Sequence, residues 1–406
     1  MQIRLGIIGT GRIASRMADT VLAAEKKIVD VPESAVLLDE GDTDVSQPAV
    51  LLDESDKGIS EGVVLAAVYN PNITSARRFI SEKGIDILAT DDWQQFLSAV
   101  DAVYVASPHE THYDYAMKAL LGGRHVLCEK PMCLVRTQAE ELFALAKEKN
   151  LIHMEACKTA YCEGFQNVLQ VARSGIIGRI YDVEACFTKL ENPFGRELTD
   201  ITYGGSVTEL ATYVLLPIMK LLGIDYQELS FQSVLGENGL DLYTKICFTY
   251  ENGMAMGKVG LGVKSEGQLI IAGTKGYIRV DSPWWLTKYF TVHHEDPNQV
   301  EEYQCSFEGS GLQYELAVFA DAISGVTSTG TGDVTCDGAS GVGNSIGSNG
   351  GGCVDGVGGS GCACADKGLT PAESIAMAGV MEAYRIGRSA EKLEQSCGKT
   401  VISFPQ

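Results

Sequence analysis

Residues whose types and spacing suit chemistry cluster at several places in this 406-residue chain. The first cluster is Gly9-Thr10-Gly11-Arg12-Ile13-Ala14, directly after the apolar run Ile3 to Ile8. A strand that ends in G-x-G-x-x-A and opens a helix binds a pyrophosphate. The first glycine allows the tight turn, the second lets the backbone approach the phosphates, and the alanine lets helix pack on strand. The free N–H groups of the helix start then face the anion. Gly9, Thr10, Gly11, Arg12 and Ile13 are therefore candidate dinucleotide contacts. The other clusters are Ser107-Pro108-His109-Glu110-Thr111-His112 and Cys128-Glu129-Lys130-Pro131-Met132. Each follows the carboxyl end of an expected parallel strand, where ligands sit in an open α/β sheet. A lysine beside a proline, immediately after a buried strand, suits a catalytic amine; the alternative is a solvated loop.

The elements that must hold these residues follow from the hydrophobic pattern. Short apolar runs at Ile3–Ile8, Val63–Val68, Ala102–Ala106 and His125–Cys128 read as parallel strands. Helical patterns fall between them, including Thr74–Lys83 and Tyr113–Leu121, the latter closed by Gly122-Gly123. Such alternation implies an α/β domain, a doubly wound parallel sheet covered on both faces. After a helix at Gln138–Lys149, longer alternating runs appear: Tyr181–Leu190, Leu242–Tyr250, Met254–Val263 and Gln268–Val280. These imply an α+β domain on a mainly antiparallel open sheet. The expected division is a dinucleotide-binding domain over 1–130 and an α+β domain over 131–406. A helix starts at Pro371 after Thr370 as N-cap and runs to about Arg388.

Two segments break the scheme. Residues 31–60 carry an acidic near-duplication, Ala35–Glu40 and Ala49–Glu54, read as a surface excursion or a partner-docking hairpin. Residues 325–368 are rich in Gly, Ser, Thr and Asp and bury too little apolar surface to offset the entropy of ordering, so a disordered loop is expected. Its Cys336, Cys353, Cys362 and Cys364 match no common zinc spacing, and no metal site is expected. The remaining cysteines, among them Cys128, Cys157, Cys186 and Cys247, read as buried thiols of a cytoplasmic protein. The start of the chain shows no secretory signal. A formal charge of −21 disfavours nucleic acid and anionic membrane as partners. The most apolar helical stretch, Leu210 to Ile224, is broken by Pro217 and Lys220 and is too short to span a bilayer.

The glycine turn, the Ser107-Pro108 turn with His112, Glu129-Lys130-Pro131, and Gly204-Gly205-Ser206 ahead of Glu209 and Tyr213 together resemble the Gfo/Idh/MocA oxidoreductases. The resemblance spans nearly the whole chain outside the two odd segments. It implies a Rossmann domain followed by an α+β domain whose open sheet walls the substrate pocket and makes a homodimer or homotetramer. It assigns NAD or NADP as cofactor and adds Ser107, Pro108, His112, Glu129 and Lys130 to the cofactor contacts. Many members carry Asp-x-x-x-His after the Gly-Gly segment; here Glu209 and Tyr213 stand at those positions, four apart on one helix face. Tyr213 with Lys130 would then carry the hydroxyl proton, with Tyr213 as phenolate, and Glu209 would orient them or hold a substrate hydroxyl. The alternative for Tyr213 is a core tyrosine.

Asn70, at the end of the second strand, is the candidate ribose contact. Lys158 and Tyr161, after the strand at Leu151–Glu155, are candidate substrate contacts, with Lys130, Glu209 and Tyr213. The expected activity is hydride transfer between the nicotinamide and a secondary alcohol or ketone of a sugar, cyclitol or related polyol. The alternatives are a redox-neutral NAD-dependent glycosidase or epimerase, and a nonenzymatic dinucleotide sensor.

Overall fold

A computed structural model describes residues 2–29, 62–328, 368–391 and 400–403. Six parallel strands form the first sheet: β1 (Ile3–Ile8), β2 (Val63–Tyr69), β3 (Leu88–Thr90), β4 (Ala102–Val105), β5 (His125–Glu129) and β6 (His153–Ala156), in the order β3-β2-β1-β4-β5-β6. Helices α1 (Arg12–Val29), α2 (Ile73–Lys83), α3 (Trp93–Ala99), α4 (His112–Leu121) and α5 (Arg136–Glu148) connect them. This order reverses at β1/β4, so a crevice opens at their carboxyl ends. The runs at β1 and β4 are apolar because both faces of the sheet are covered.

The parallel sheet does not stop at residue 130. The segment at 151–155, expected in the second domain, supplies β6, which pairs with β5 (Val126 with His153) and extends the sheet to Ala156. Two short elements, β3 and α3, carried no strong periodic signal.

The second domain begins with α6 (Glu163–Arg173) and β7 (Ile180–Thr188). The short α7 (Arg196–Thr199) and the long α8 (Ser206–Leu222) follow, then β8 (Glu228–Leu235), β9 (Asp241–Tyr250), β10 (Gly253–Gly260), β11 (Leu269–Gly273), β12 (Gly276–Val280), β13 (Tyr289–His294) and β14 (Val300–Gln304). Helices α9 (Leu312–Ser328) and α10 (Pro371–Glu391) and strand β15 (Thr400–Ser403) complete the described chain. The sheet has nine strands, ordered β14-β13-β12-β11-β7-β10-β9-β8-β15, and only the β7/β10 pairing is parallel. The run Gln268–Val280 is two strands, because the alternation continues through a tight turn at Thr274-Lys275 and β11 pairs back on β12.

The apolar stretch after Gly205 is α8, a core helix that packs on β7 and β10. Its Val214 leaves no room for a side chain at Gly257 on β10, where a Cβ would sit 2.7 Å from Val214 Cγ2. Pro217 cannot donate to the carbonyl of Tyr213 one turn earlier, a local defect inside α8. No helix among the described residues is long and apolar enough to cross a membrane. Cys128, Cys157 and Cys186 are buried free thiols, whereas Cys247 is only half-buried. The acidic segment 31–60 and the cysteines at 336, 353, 362 and 364 lie outside the described residues. Helix α9 runs to Ser328, past Gly325, where the Gly/Ser-rich loop was expected to begin.

The N-terminus of α10 is a capping box. Glu373 N donates to Thr370 Oγ1 at 3.3 Å and Thr370 N donates to Glu373 Oε2 at 2.8 Å. The same Glu373 carboxylate meets Lys220 Nζ of α8 at 2.8 Å, with the lysine side chain only 3% exposed. One residue thus caps α10 and, among the described residues, pairs the buried lysine that ties it to α8. Glu373→Ala is expected to lower the unfolding free energy by about 3 kcal/mol, because Lys220 would be left buried and unpaired. Urea denaturation checks this, and a loss below about 1 kcal/mol would mean that the pair is effectively solvated.

Candidate active site

Residues at the carboxyl ends of β1, β4 and β5 face α7, α8 and α9 across a cavity of about 590 Å³. The glycine turn forms one edge. Gly9 has φ 104°, and a Cβ there would lie 2.6 Å from the Ala106 carbonyl oxygen, so no other residue fits the turn. A Cβ on Gly11 would meet nothing within 4 Å: the backbone there faces open space beside the start of α1. The first turn of this 18-residue helix holds no acidic side chain, and Ala14 is buried against the sheet. This open cradle of N–H groups fits a pyrophosphate. Arg12, Ile13 and Arg16 carry the cavity wall on from the turn.

Asn70 does not reach the cavity wall. Its amide is spent locally, Nδ2 donating to Thr10 Oγ1 at 2.9 Å and Oδ1 accepting from Asn72 N at 2.9 Å, so it braces the glycine turn from the end of β2. Ser107 and Pro108 line the cavity and are held by Thr111, whose hydroxyl reaches Ser107 Oγ and the Pro108 carbonyl, each at 2.7 Å. His112 is fully buried, with Nδ1 2.9 Å from the Pro131 carbonyl and Nε2 2.9 Å from the Ser107 carbonyl. It ties the loop after β4 to the loop after β5. Burial pushes its imidazolium pKa down more than the two carbonyls push it up.

Strand β5 delivers Glu129 and Lys130 to the cavity floor. Glu129 accepts a hydrogen bond from the buried Tyr104 hydroxyl, and burial raises its carboxyl pKa despite Lys130. Lys130 Nζ donates to the Glu209 carbonyl at 3.1 Å and lies 5.7 Å from the centre of the Tyr213 ring. The sequence-expected trio of Lys130, Glu209 and Tyr213 therefore meets at one point between the domains. The phenolate expected for Tyr213 is not supported. Burial first, then the fields of Cys157, Glu129 and Glu315, push the phenol pKa well above its ordinary value. A phenol shifted in that direction keeps its proton at neutral pH. Burial also raises the Glu209 carboxyl, with Lys130 opposing.

Lys158 lines the cavity and donates to the Ser310 carbonyl at 2.6 Å; burial lowers its pKa. Tyr161 does not line it. Its hydroxyl donates to the Glu155 carbonyl at 2.9 Å, its side is closed by Gly368, and it is 7% exposed, a core tyrosine. Several wall residues were given no role in the sequence reading. His109 lies 3.6 Å from Glu209 Oε1, but burial and nearby cations hold its pKa well below the ordinary value, so the contact joins a neutral imidazole to the carboxyl. Arg196 of α7 grips Glu110 at 2.6 Å across the domain seam. Trp285 stacks on Phe187 at 3.6 Å, and Phe187 lies 4.9 Å from Tyr213, an aromatic wall beside the amine. Among the described residues no group of three or more His, Cys, Asp or Glu is placed to hold a metal ion.

The fold and this seam define a two-domain protein of the Rossmann class, with a crevice shared between a parallel and an open antiparallel sheet. Residues 3–156 match the family described as "Oxidoreductase family, NAD-binding Rossmann fold". A dTDP-3,4-didehydro-2,6-dideoxy-alpha-D-glucose 3-reductase of Streptomyces antibioticus is 32% identical over 40% of this chain and 49% of its own length. A trans-1,2-dihydrobenzene-1,2-diol dehydrogenase of Xenopus laevis is 26% identical over 53% of this chain and 67% of its own. A scyllo-inositol 2-dehydrogenase (NADP(+)) of Bacillus subtilis is 30% identical over 39% and 51%. The chain spans about half the length of the two reductase and inositol relatives. Among solved structures, a 3-ketoreductase from Actinomadura kijaniata in complex with NADP and TDP-benzene shares the fold at a TM-score of 0.66, with 21% identity over 95% of this chain and 98% of that one. An NAD binding oxidoreductase from Klebsiella pneumoniae does so at 0.67, with 15% identity over the whole of both chains.

The N-terminus of α8, which aims Glu209 and Tyr213, rests on Asp241. This residue is 0% exposed; its Oδ2 accepts from Val207 N at 2.8 Å, and its Oδ1 lies 3.8 Å from Arg388 Nη1. Burial raises its pKa from 3.8 to about 6. A raised folded-state pKa means that the folded chain holds the proton longer than the unfolded one. The stabilisation is full below about pH 4 and is lost as pH rises through about 6, by on the order of 3 kcal/mol. Thermal midpoints from pH 4 to 7 are expected to fall less steeply for Asp241→Asn than for the unaltered chain; parallel curves would show that Asp241 does not titrate in this window.

Proposed function

We propose that this protein is an NAD- or NADP-dependent oxidoreductase acting on a secondary alcohol or ketone of a sugar, cyclitol or related polyol. One observation carries the reading: Lys130, Glu209 and Tyr213 converge on a cavity that also reaches the start of α1 beside the glycine turn. The relatives that reduce or oxidise sugar-like rings are consistent with it. Gly9, Gly11, Arg12 and Ile13 would hold the dinucleotide, with Ser107 and Pro108 along its path. A bound nicotinamide supplies or accepts the hydride at the substrate carbon.

The chain's own residues handle the proton. Tyr213, neutral and beside Lys130, donates its O–H proton to the substrate oxygen during reduction, and Lys130 Nζ holds that oxygen by a second hydrogen bond. The resting state of the site thus suits a carbonyl substrate at neutral pH. Glu209 anchors Lys130 through its main-chain carbonyl and offers its carboxyl to a neighbouring hydroxyl. The aromatic wall of Phe187 and Trp285 packs against the apolar face of a ring. The convergence of donor groups on one open cavity favours an enzyme over a dinucleotide sensor.

The face of the nine-stranded sheet away from α8 leaves Met254 and Tyr277 exposed, and we assign it to a homodimer or homotetramer. The buried reduced thiols suit a cytoplasmic setting. Light scattering is expected to give the mass of two or four chains; a monomer at micromolar concentration would remove that assignment. For the activity, fluorescence titration with NADH and NADPH is followed by absorbance assays against scyllo-inositol, D-glucose and a dTDP-linked hexose. Lys130→Met and Tyr213→Phe are each expected to lower kcat/KM by about 10²- to 10⁴-fold, with cofactor affinity retained. Full activity of Lys130→Met would refute the mechanism.

A further inference from the structure

Glu315, in the first turn of α9, plays no part in the proton transfer described above. Among the described residues it is the buried carboxyl with neither oxygen hydrogen-bonded. Its residue exposure is 0%, it lines the cavity, and neither carboxyl oxygen has a hydrogen-bond partner. Buried carboxyls without a partner cost stability, so such a group is retained for a reason other than packing. The neighbourhood restricts the reason. Glu129 lies close enough to disfavour a second negative charge, and Lys158 close enough to favour one; burial outweighs both and raises the Glu315 pKa well above the usual carboxyl range. Lys158 acts on it through its field and not by contact, since neither Glu315 oxygen accepts a hydrogen bond. Two carboxyls in one dry site share a proton more readily than they both ionise. A carboxylic acid both donates and accepts, and so matches a hydroxyl, which does the same.

Position selects the source of that hydroxyl. Glu315 stands on α9, in the second domain, on the side of the cavity that also carries Trp285, Lys158 and Leu312. These groups line the same cavity as Lys130, Glu209 and Tyr213, the residues proposed to meet the substrate. We infer that Glu315 is a substrate-binding residue whose carboxyl group hydrogen-bonds a ring hydroxyl of a polyhydroxylated substrate. The inference deepens the reading given under Proposed function and rests on it.

A purely structural carboxyl and a ligand-binding one differ in what their removal does to the empty protein. Glu315→Leu and Glu315→Gln are compared with the unaltered full chain by thermal unfolding without ligand, by NADPH and NADH titration, and by kinetics with scyllo-inositol, D-glucose and the dTDP-linked hexose. Removing an unpartnered buried acid is expected to leave Tm unchanged or raise it by about 2 °C, with cofactor affinity retained. The KM for the substrate that turns over should rise by about 10- to 100-fold in Glu315→Leu and by less in Glu315→Gln, which keeps a donor and an acceptor. A fall in Tm of several degrees in both variants would assign the carboxyl to the scaffold and overturn the inference. So would weaker cofactor binding with an unchanged KM. If the unaltered chain binds cofactor yet turns over none of these compounds, the proposed activity on them fails, and the Tm comparison still decides whether Glu315 is structural.

Discussion

The Lys130 Nζ contact with the Glu209 carbonyl is where the two domains become one site. Lysine reaches it from the carboxyl end of a strand in the parallel sheet, and the carbonyl belongs to the first turns of a helix laid on the antiparallel sheet. Neither sheet could place these atoms alone. β5 is fixed by its parallel neighbours β4 and β6, and α8 by its packing on β7 and β10. The loops between are then held by short-range ties: His112 on two carbonyls, Arg196 on Glu110, and Asp241 on the Val207 amide. Positioning is distributed, whereas the chemistry is concentrated in side chains of a few residues.

Burial sets the protonation of these groups more than any single partner does. In water, Glu129, Glu209 and Glu315 would be three negative charges; in this cavity burial raises all three carboxyls, and it lowers Lys158 and His109. Both signs follow from the cost of holding charge in a low-dielectric interior. A site so biased toward neutral forms suits a reaction in which a proton moves to an uncharged carbonyl. The formal charge of −21 belongs to the chain as a whole, while Arg12, Arg16, Lys130 and Lys158 bring positive charge to this one crevice. An anionic ligand would be repelled by the surface at large and drawn to the crevice, a field that sharpens where ligands approach.

Sequence legibility followed locality. The glycine turn was readable because its geometry demands glycine at Gly9, and β1, β4 and β5 because strands largely buried on both faces are mostly apolar. Glu129-Lys130-Pro131 stood out because charge directly after such a strand is unusual. The capping box at Thr370 and Glu373 was half legible: the N-cap and the proline were evident, but the second role of Glu373 toward Lys220 needs another helix. Where three-dimensional neighbours decide, the pattern was silent or misleading. Asn70 is engaged by Thr10, Tyr161 by the Glu155 carbonyl, and the alternation across Thr274-Lys275 continues through a turn. The spacing of Glu209 and Tyr213 was readable, but the proton on Tyr213 was not, since Glu129 and Glu315 arrive from other elements.

Glu315 shows most sharply why part of a site stays hidden. In Leu312-Gln313-Tyr314-Glu315-Leu316 a glutamate within a helix is an ordinary solvent-facing residue by pattern. It is buried because α9 packs on α1 and on the turn at 158–161, contacts made by residues distant in sequence. No helical periodicity distinguishes a glutamate that faces water from one that faces a cavity floor. The distinction appears only in three dimensions, where both carboxyl oxygens of Glu315 are buried without a partner. A fold can therefore advertise where its cofactor goes in a few consecutive residues, while the residues that choose its substrate are scattered across elements that tertiary packing alone brings together.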